Sequence, residues 1–362
     1  MSSDTAVEQK STDIIEIKDV KKYYPVKAGV FLRHVADVKA VDSVTLNIRR
    51  GECLGLVGES GCGKTTLGKT LVRLHEATSG RIYFDQPHER VDEIERMLAS
   101  EDPVQVSEAN RLRKEIDITK LSPRRLLALR QRFQIVFQDP SNSLDPRMLV
   151  KDIIAEPLVS QRLLGAREID ARVNELLKIV GLSDEHRVRY PHEFSGGQRQ
   201  RIAVARSLAT NPEFIMMDEP TSALDVSVQA QILNLLKALQ DEFKLTYLFV
   251  THHLLVVKYI SNRIAVMYLG KMVEISPTQD LFNQPIHPYT KALLSAIPVP
   301  DPKTKREKII LSGDVPNPIN PPTGCRFHPR CAFAKDICRE VEPQLETIGD
   351  GRLVACHRWR EI

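Results

Sequence analysis

A glycine-rich stretch restricts the possible folds of this chain more than any other feature. It fits the pattern G-x-x-x-x-G-K-[ST] and comprises Gly58, Glu59, Ser60, Gly61, Cys62, Gly63, Lys64, Thr65 and Thr66. In this pattern the glycines let backbone N–H groups surround phosphates. The lysine reaches the outer phosphate oxygens, and the hydroxyl after it ligates Mg²⁺.

The flanking sequence agrees with this interpretation. Cys53–Val57 is a short apolar run that predicts a buried strand, and Leu67, Leu71 and Leu74 predict one face of a helix over residues 65–77. Strand, loop and helix in this order point a helix N-terminus at an anion. The stretch therefore indicates a nucleoside-triphosphate site rather than an ordinary glycine-rich turn.

Length and composition narrow the class of protein. A chain of 362 residues suits one large domain with an appendage, and a net charge of +4 is too small to indicate nucleic-acid binding. No apolar run approaches the roughly 20 residues needed to cross a bilayer. The polar segment Met1–Thr12 does not resemble a secretory signal. We therefore expect a cytoplasmic setting, in which the six cysteines are thiols or ligands rather than disulfides.

Two carboxylates follow the apolar run Phe214–Met217, which predicts another buried strand. Adjacent side chains at a strand end point to opposite faces, so Asp218 and Glu219 can hold different positions. We expect Asp218 to hold Mg²⁺ through water and Glu219 to polarise the attacking water. A solvated strand end is the ordinary alternative, and the phosphate loop upstream argues against it.

Two further polar residues follow predicted strands. Gln138 comes after the apolar segment Gln134–Phe137 and can offer its amide oxygen to a metal. His252 follows Thr246–Val250 and can hydrogen-bond a γ-phosphate oxygen, the alternative being a structural histidine.

A second phosphate-facing helix start is predicted at Ser195, Gly196, Gly197 and Gln198, followed by apolar residues at helical spacing. One nucleotide needs only the helix start in its own loop. The second therefore suggests a contribution to a neighbour's nucleotide.

Other segments carry weaker predictions. Tyr24 is the first choice for stacking on a nucleobase, Tyr23 is the second, and core packing is the alternative. Residues 26–39 are predicted to be a basic loop. The charged insertion at about 86–122 is predicted to be one amphipathic surface helix, because Val91, Ile94 and Leu98 recur at helical spacing.

Taken together, these residues resemble an ATP-binding cassette (ABC) ATPase over about residues 14–280. Phe194, where leucine is more usual, and His253, where aspartate often follows the histidine, depart from the pattern. The resemblance implies an α/β P-loop NTPase fold with a RecA-like core, an antiparallel β subdomain and a helical subdomain. It implies a nucleotide-binding domain over 14–285, with its helical subdomain at about 140–210, and a cysteine-containing extension over 286–362.

The resemblance also implies roles for the site residues. Lys64, Gln138, Glu219 and His252 would be catalytic, and Thr65, Gln138 and Asp218 would hold Mg²⁺ beside ATP. Ser195, Gly196, Gly197 and Gln198 of one subunit would cap the γ-phosphate of the other in a head-to-tail dimer. ATP would close this dimer and hydrolysis would release it, which drives a membrane permease.

The tail resembles the C-terminal extension of dipeptide and oligopeptide importer ATPases in residues 287–294 and 324–331. This resemblance implies a motor subunit for peptide uptake at the cytoplasmic face of the cell (inner) membrane. The implied partners are a second, homologous ATPase subunit, two transmembrane permease subunits and, indirectly, an extracytoplasmic solute-binding protein. Import of nickel or glutathione-like solutes and a non-transport soluble ABC ATPase are the alternatives.

Four cysteines of the tail form a separate candidate site. Cys325, Cys331, Cys338 and Cys356 are separated by five, six and seventeen residues. Four thiolates can complete a site for a [4Fe–4S] cluster or for zinc, although the lack of a C-x-x-C pair argues against a zinc ribbon. Some dipeptide-importer ATPases carry such a cluster, and this resemblance favours iron–sulfur. Zinc and unmetallated thiols remain the alternatives.

Overall fold

The structure, a computed structural model, describes residues 12–29, 33–298, 308–349 and 351–362. In this part of the chain the strands are β1 (Asp13–Ala28), β2 (Arg33–Arg49), β3 (Cys53–Val57), β4 (Ser79–Phe84), β5 (Phe133–Val136), β6 (Phe214–Asp218), β7 (Thr246–Val250), β8 (Arg263–Tyr268), β9 (Lys271–Pro277), β10 (Glu346–Thr347) and β11 (Leu353–Val354). The helices are α1 (Lys64–Leu71), α2 (His88–Leu98), α3 (Pro103–Ile116), α4 (Pro123–Leu129), α5 (Pro140–Ser143), α6 (Val150–Ser160), α7 (Ala166–Ile179), α8 (Gly196–Leu208), α9 (Val226–Phe243), α10 (Leu254–Ile260), α11 (Thr278–Asn283), α12 (Pro288–Ser295) and α13 (Asp336–Glu340).

A large sheet forms the centre of the fold, with strand order β10-β11-β9-β8-β3-β7-β6-β5 among the described residues. Strands β8, β3, β7, β6 and β5 run parallel to one another, and β9 pairs antiparallel to β8. Every residue of β3, β6 and β7 is buried. Such strands need apolar residues on both faces, which is why they appear in the sequence as continuous apolar runs.

A second sheet, with order β2-β1-β4, covers one side of the core. Its buried side chains, including Ile17, Val20 and Ile82, belong to one apolar cluster with Leu54 of β3 and Leu67 of α1. Helices α6, α7 and α8 pack against the other part of the sheet through a separate apolar cluster. This packing fixes the position at which α8 begins.

The segment after β9 packs back onto the nucleotide-binding part of the chain. Strand β11 pairs antiparallel with β9, joining Leu353 to Ile275. Phe327 is 1% exposed and its ring lies 5.3 Å from that of Tyr268 and 5.4 Å from that of Tyr289. The tail, which includes α12, therefore shares a core with β8. No helix in the described ranges has both the length and the apolar character that a membrane crossing requires.

The helix after the phosphate loop is shorter than predicted. It ends at Leu71 instead of residue 77, and Leu74 is 45% exposed. Arg73 has a left-handed backbone conformation (φ 53°), and its guanidinium donates a hydrogen bond of 2.6 Å to the carbonyl of Ile118. The chain turns away at this point, so the third leucine of the predicted stripe does not reach the core.

The predicted basic loop over residues 26–39 is mostly a long hairpin. Strands β1 and β2 pair from Asp13↔Arg49 out to Ala28↔Arg33, and residues 30–32 lie outside the described residues. Val35, in this extension, is 63% exposed. Backbone hydrogen bonds hold these strands without an apolar face, so their side chains gave no strand pattern.

The insertion at about 86–122 contains two packed helices instead of one. Val91 and Ile94 of α2 are fully buried against Ala109 of α3, in a cluster that includes Tyr83. The break follows from Asp102, which accepts a hydrogen bond of 2.9 Å from the backbone N–H of Val104 and starts α3 with Pro103 in the first turn. The spacing of the apolar residues predicts helix but does not show the break that this cap produces.

Candidate functional site

The phosphate loop lies between β3 and α1, and two of its glycines are required by close backbone approach. A Cβ on Gly58 would lie 2.1 Å from the carbonyl oxygen of Met267. A Cβ on Gly63 would lie 2.0 Å from the carbonyl oxygen of Ala40, and the φ of Gly63 is +107°. Only glycine fits at these two positions. The tight path directs the start of α1 into the cleft that follows the strand.

Lys64 lies across the loop that it follows. Its Nζ donates to the carbonyl oxygens of Gly58 at 2.8 Å and Glu59 at 2.9 Å, and lies 3.7 Å from the Cys62 sulfur. The side chain is 6% exposed. An ammonium held this way is strongly localised beside the backbone that would surround phosphates. Burial raises the pKa of the Cys62 thiol, which stays protonated at neutral pH.

Two oxygens meet at the first turn of α1. The Thr65 hydroxyl donates to Asp218 Oδ1 at 2.7 Å, and Lys69 Nζ lies 3.7 Å from Asp218 Oδ2. Asp218 is 2% exposed at the end of β6. A hydroxyl and a carboxylate are ligand types that Mg²⁺ accepts, with water completing its octahedron. These two residues therefore fit a magnesium site beside the loop.

Glu219 is held by two partners from neighbouring strands. Gln138 Nε2 donates to Glu219 Oε2 at 3.1 Å, and His252 Nδ1 donates to Glu219 Oε1 at 2.9 Å. Gln138, Glu219 and His252 follow β5, β6 and β7, which are adjacent in the sheet. The φ of Glu219 is +45°, a left-handed conformation uncommon for this residue type. This strained, doubly fixed carboxylate is typical of a functional position.

These groups line one open cleft of about 530 Å³. Its walls are Ala40, Ser60, Gly61, Gly63, Lys64, Thr65, Thr66, Gln138, Glu219 and His252. The lining therefore includes a cation, Lys64, and a carboxylate, Glu219. This arrangement can hold a triphosphate and place a base near its outer phosphate.

The second helix start lies outside this cleft. Ser195 begins α8 with a capping box: its hydroxyl accepts from the backbone N–H of Gln198 at 3.3 Å, and Gln198 Oε1 accepts from the backbone N–H of Ser195 at 3.0 Å. Ser195 is exposed, whereas Gly197 is packed so closely that a Cβ would lie 2.3 Å from Val228 Cγ1. None of Ser195, Gly196, Gly197 and Gln198 lines the cleft formed by the same chain.

The two tyrosines differ in their surroundings. The ring of Tyr24 is half-buried, with the His75 ring edge-on at 6.0 Å and Lys22 Nζ 4.8 Å above it. The hydroxyl of Tyr23 donates to Asp42 at 2.5 Å. Tyr24 does not line the cleft, and its contact with a nucleobase stays a prediction.

The four tail cysteines line one small cavity, beside Phe327 and Phe333. Burial, together with the neighbouring cysteines, raises the pKa of Cys325 to about 12. Burial also raises the pKa of Cys331 and Cys356, so these thiols are protonated at neutral pH. Among the described residues no group of three or more His, Cys, Asp or Glu side chains is arranged to hold a metal ion. The four cysteines thus share a cavity, but the predicted [4Fe–4S] cluster is not confirmed.

Three contacts of the site were not predicted from the sequence. Ala40 lines the cleft, Lys69 approaches Asp218, and the tail reaches Glu59 through Tyr289 and Arg330. No local pattern marks these residues. Their partners lie far away in the sequence or act through backbone atoms.

Comparison with known families agrees with this geometry. The family described as "ABC transporter" matches residues 41–222, and "Oligopeptide/dipeptide transporter, C-terminal region" matches residues 273–338. The dimeric structure of the ATP-binding cassette MJ0796, in a post-hydrolysis state bound to ADP and Pi, is similar to this chain with a TM-score of 0.58 at 28% identity. The match covers 73% of this chain and 98% of that one. The cbiO1 structure from Clostridium perfringens has a TM-score of 0.59 at 26% identity, covering 76% and 92%.

Relatives match almost the whole chain. The oligopeptide transport ATP-binding protein AppF of Bacillus subtilis is 48% identical, over 98% of this chain and 99% of its own length. The dipeptide transport ATP-binding protein DppF of Haemophilus influenzae is 45% identical, over 96% and 97%. The chain therefore belongs to the ABC transporter ATPases, in the group that carries the oligopeptide/dipeptide transporter C-terminal region.

Proposed function

We propose that this chain is the ATP-hydrolysing motor subunit of an importer of dipeptides or oligopeptides. The observation that carries the proposal is the match to oligopeptide and dipeptide transport ATP-binding proteins across both the cassette and the tail. The open cleft lined by Lys64 and Glu219 supports the ATPase part.

The geometry supports a role for each of these residues. Lys64 would bind the outer phosphates once ATP displaces it from the loop carbonyls, because its ammonium then exchanges neutral acceptors for charged ones. Glu219 would accept a proton from the attacking water, and Gln138 and His252 would hold its two oxygens in place. Thr65 and Asp218, with Gln138 nearby, would hold Mg²⁺, which neutralises phosphate charge when bound.

The exposed start of α8 supports a dimeric arrangement. Since Ser195, Gly196 and Gly197 do not line the cleft of their own chain, they are free to cap the nucleotide of a second cassette subunit. We propose that this second subunit is a homologue and that two membrane permeases and a solute-binding protein complete the importer. The chain would lie peripherally at the cytoplasmic face of the inner membrane.

We further propose a division at residues 285/286, with a nucleotide-binding domain over 14–285 and an extension over 286–362. The separate matches over 41–222 and 273–338 support two units, although the tail match begins within β9.

The importer proposal is tested by gentle affinity purification of the chain from membranes of its native host. We expect two permeases and a second cassette subunit to co-purify. ATP hydrolysis by the reconstituted complex should rise with a peptide-loaded binding protein and not with nickel or glutathione. Stimulation by either of those solutes alone would reassign the cargo, and recovery with ribosomes or DNA and no membrane protein would overturn transport.

An iron–sulfur cluster in the tail remains a separate proposal, supported by the convergence of Cys325, Cys331, Cys338 and Cys356 on one cavity. We expect iron and acid-labile sulfide in anaerobically purified protein, and their loss in Cys331→Ser. The matched control is Cys53→Ser, a buried cysteine of β3 that should leave the iron content per folded chain unchanged. Zinc without sulfide, or no metal at all, would overturn the cluster.

A further inference from the structure

The tail contacts the phosphate loop directly, and both contacts are made to Glu59. The backbone N–H of Glu59 donates to the Tyr289 hydroxyl at 2.8 Å. Arg330 Nη1 donates to Glu59 Oε2 at 2.9 Å. Glu59 is the second residue of the loop, so two side chains more than 200 residues away restrain both its backbone and its charge.

The Tyr289 hydroxyl is rigidly placed. Tyr289 is fully buried in the first turn of α12, and its backbone N–H donates to His287 Nδ1 at 3.1 Å. Its ring packs 4.7 Å from that of Tyr268 and 5.4 Å from that of Phe327. A side chain held by packing can fix the orientation of the Glu59 peptide group, because a change of its own rotamer would disrupt that packing.

Arg330 is also well ordered by its surroundings. Its side chain is 9% exposed and that of Glu59 is 25% exposed, so the pair is partly shielded from water. Such a pair interacts more strongly than a surface ion pair, because solvent screens it less. Glu59 itself does not line the cleft, but the next residue, Ser60, does. The guanidinium therefore offsets a negative charge one residue away from the candidate phosphate site.

Glu59, which the tail restrains, is also a hydrogen-bond partner of Lys64. Lys64 Nζ donates to the carbonyl oxygen of Glu59 at 2.9 Å, and the carbonyl oxygen of Gly58 lies 2.8 Å away. The peptide groups on both sides of Glu59 are therefore fixed, one by Tyr289 and the other by the lysine. The shape of the loop depends on the tail as well as on its own glycines.

We infer that Tyr289 and Arg330 are positioning residues of the nucleotide site. They hold Glu59 so that the loop keeps its phosphate-accepting shape and so that its carboxylate does not repel ATP. This inference rests on the proposed binding of ATP in the cleft. The tail is then part of the ATP site rather than an independent appendage.

The first test is ATP affinity of the full chain, measured by calorimetry with MgATP. Tyr289→Phe removes only the acceptor for the Glu59 N–H, and Arg330→Gln removes the guanidinium with its charge and its hydrogen bond to Glu59. Each variant should raise the Kd about 3- to 10-fold. The KM for ATP should rise in parallel while kcat per folded chain changes by less than about twofold. A loss of kcat at unchanged KM would indicate a merely structural role and overturn the inference.

Two controls remove comparable contacts elsewhere. Tyr247→Phe deletes another buried hydroxyl, which donates to the carbonyl of Leu236 at 3.2 Å. Arg352→Gln deletes another arginine joining the tail to the rest of the chain, through the carbonyl of Gln284 at 2.5 Å. We expect both controls to lower thermal stability as much as the test variants but to leave the Kd within about twofold of wild type.

A charge rescue separates positioning from folding. If Arg330 offsets Glu59, the double variant Glu59→Gln/Arg330→Gln should bind ATP at least about threefold more tightly than Arg330→Gln alone. Glu59→Gln should not rescue Tyr289→Phe, because that variant affects the backbone N–H. Absence of rescue in the arginine pair would overturn the charge role. If wild type itself binds no ATP, the proposed nucleotide site fails; if wild type binds and all variants bind equally, only this inference fails.

Discussion

Two helices of this protein begin with small residues suited to phosphate, but only one of them is built into a cleft. The start of α1 follows the phosphate loop, where Lys64 donates to the carbonyl of Gly58 and lines the same cleft as Glu219. The start of α8 is exposed at Ser195 and lines no part of that cleft. Its N–H groups are organised by its own capping box.

The difference shows that a helix N-terminus alone does not make a nucleotide site. At α1 the backbone donors are combined with a cation, a magnesium-compatible oxygen pair and a positioned carboxylate. At α8 the helix start is exposed, and none of Ser195, Gly196, Gly197 and Gln198 shares the cleft that holds these groups. The first start therefore has the groups that ATP binding and hydrolysis require, whereas for the second we propose only that it completes the site of another subunit.

The largest effect should come from the carboxylate that distinguishes the first helix start. Glu219→Gln should lower ATP hydrolysis by about 10²- to 10⁴-fold, because a general base contributes this much, while ATP binding persists. Single-turnover hydrolysis and size-exclusion chromatography with ATP should show a trapped, closed dimer. Glu242→Gln, on the exposed side of α9, is the matched control and should hydrolyse ATP normally. Undiminished turnover in Glu219→Gln would remove Glu219 from this role.

Lys64→Ala should affect binding as well. Losing charged hydrogen bonds to phosphate should weaken the ATP affinity of the single chain by about 10- to 100-fold. Equilibrium binding measured at protein concentrations that keep the chain monomeric checks this. If Lys64→Ala bound ATP like wild type, the cleft at α1 would not be the nucleotide site. The proposed difference between the starts of α1 and α8 would then be wrong.

Ser195→Arg should separate the two helix starts. We expect the ATP affinity of the single chain to stay within about twofold of wild type. Hydrolysis by the assembled dimer should be at least about 10-fold slower, because the bulky arginine side chain takes the place of the hydroxyl that would contact phosphate. Asp102→Ala deletes a comparable helix cap at α3 and controls for the stability lost with the cap. Weakened binding by the isolated Ser195→Arg chain would show that α8 serves its own nucleotide.

The smallest expected effect concerns His287 in the tail, whose contacts with Glu59 reach the phosphate loop before α1. Burial lowers the pKa of His287 from 6.5 to about 3, so the folded chain keeps this imidazole neutral while the unfolded chain takes up a proton below pH 6.5. The contribution of neutral His287 to the free energy of unfolding is therefore complete above pH 6.5. It is lost as the pH falls from 6.5 to 3, by up to about 1.4 kcal/mol per pH unit.

His287→Asn keeps an acceptor for the Tyr289 N–H but cannot be protonated. Denaturant unfolding at pH 7.5 and 5.5 should therefore show a smaller acid-induced loss for this variant than for wild type. Acidic groups titrate in both proteins and cancel in the difference. Equal losses in the two proteins would mean that His287 is not kept neutral by burial.

The sequence located most of the site because the relevant signals are local. The phosphate loop, the carboxylates after β6 and the histidine after β7 each follow an apolar strand, and β7 lies at Thr246–Val250 as predicted. Capping at Ser195 is likewise encoded within four residues. Such features depend on neighbouring side chains and on backbone geometry, which the sequence shows directly.

Tertiary structure decided what joins distant segments. The sequence gives the strand ends that carry Gln138, Glu219 and His252, but only the sheet order makes both flanking residues hydrogen-bond to the carboxylate. It contains the four tail cysteines but not their common cavity. The contact of Arg330 with Glu59 spans 271 residues and leaves no local pattern. Packing between remote elements fixes these contacts, and no short-range periodicity reports them.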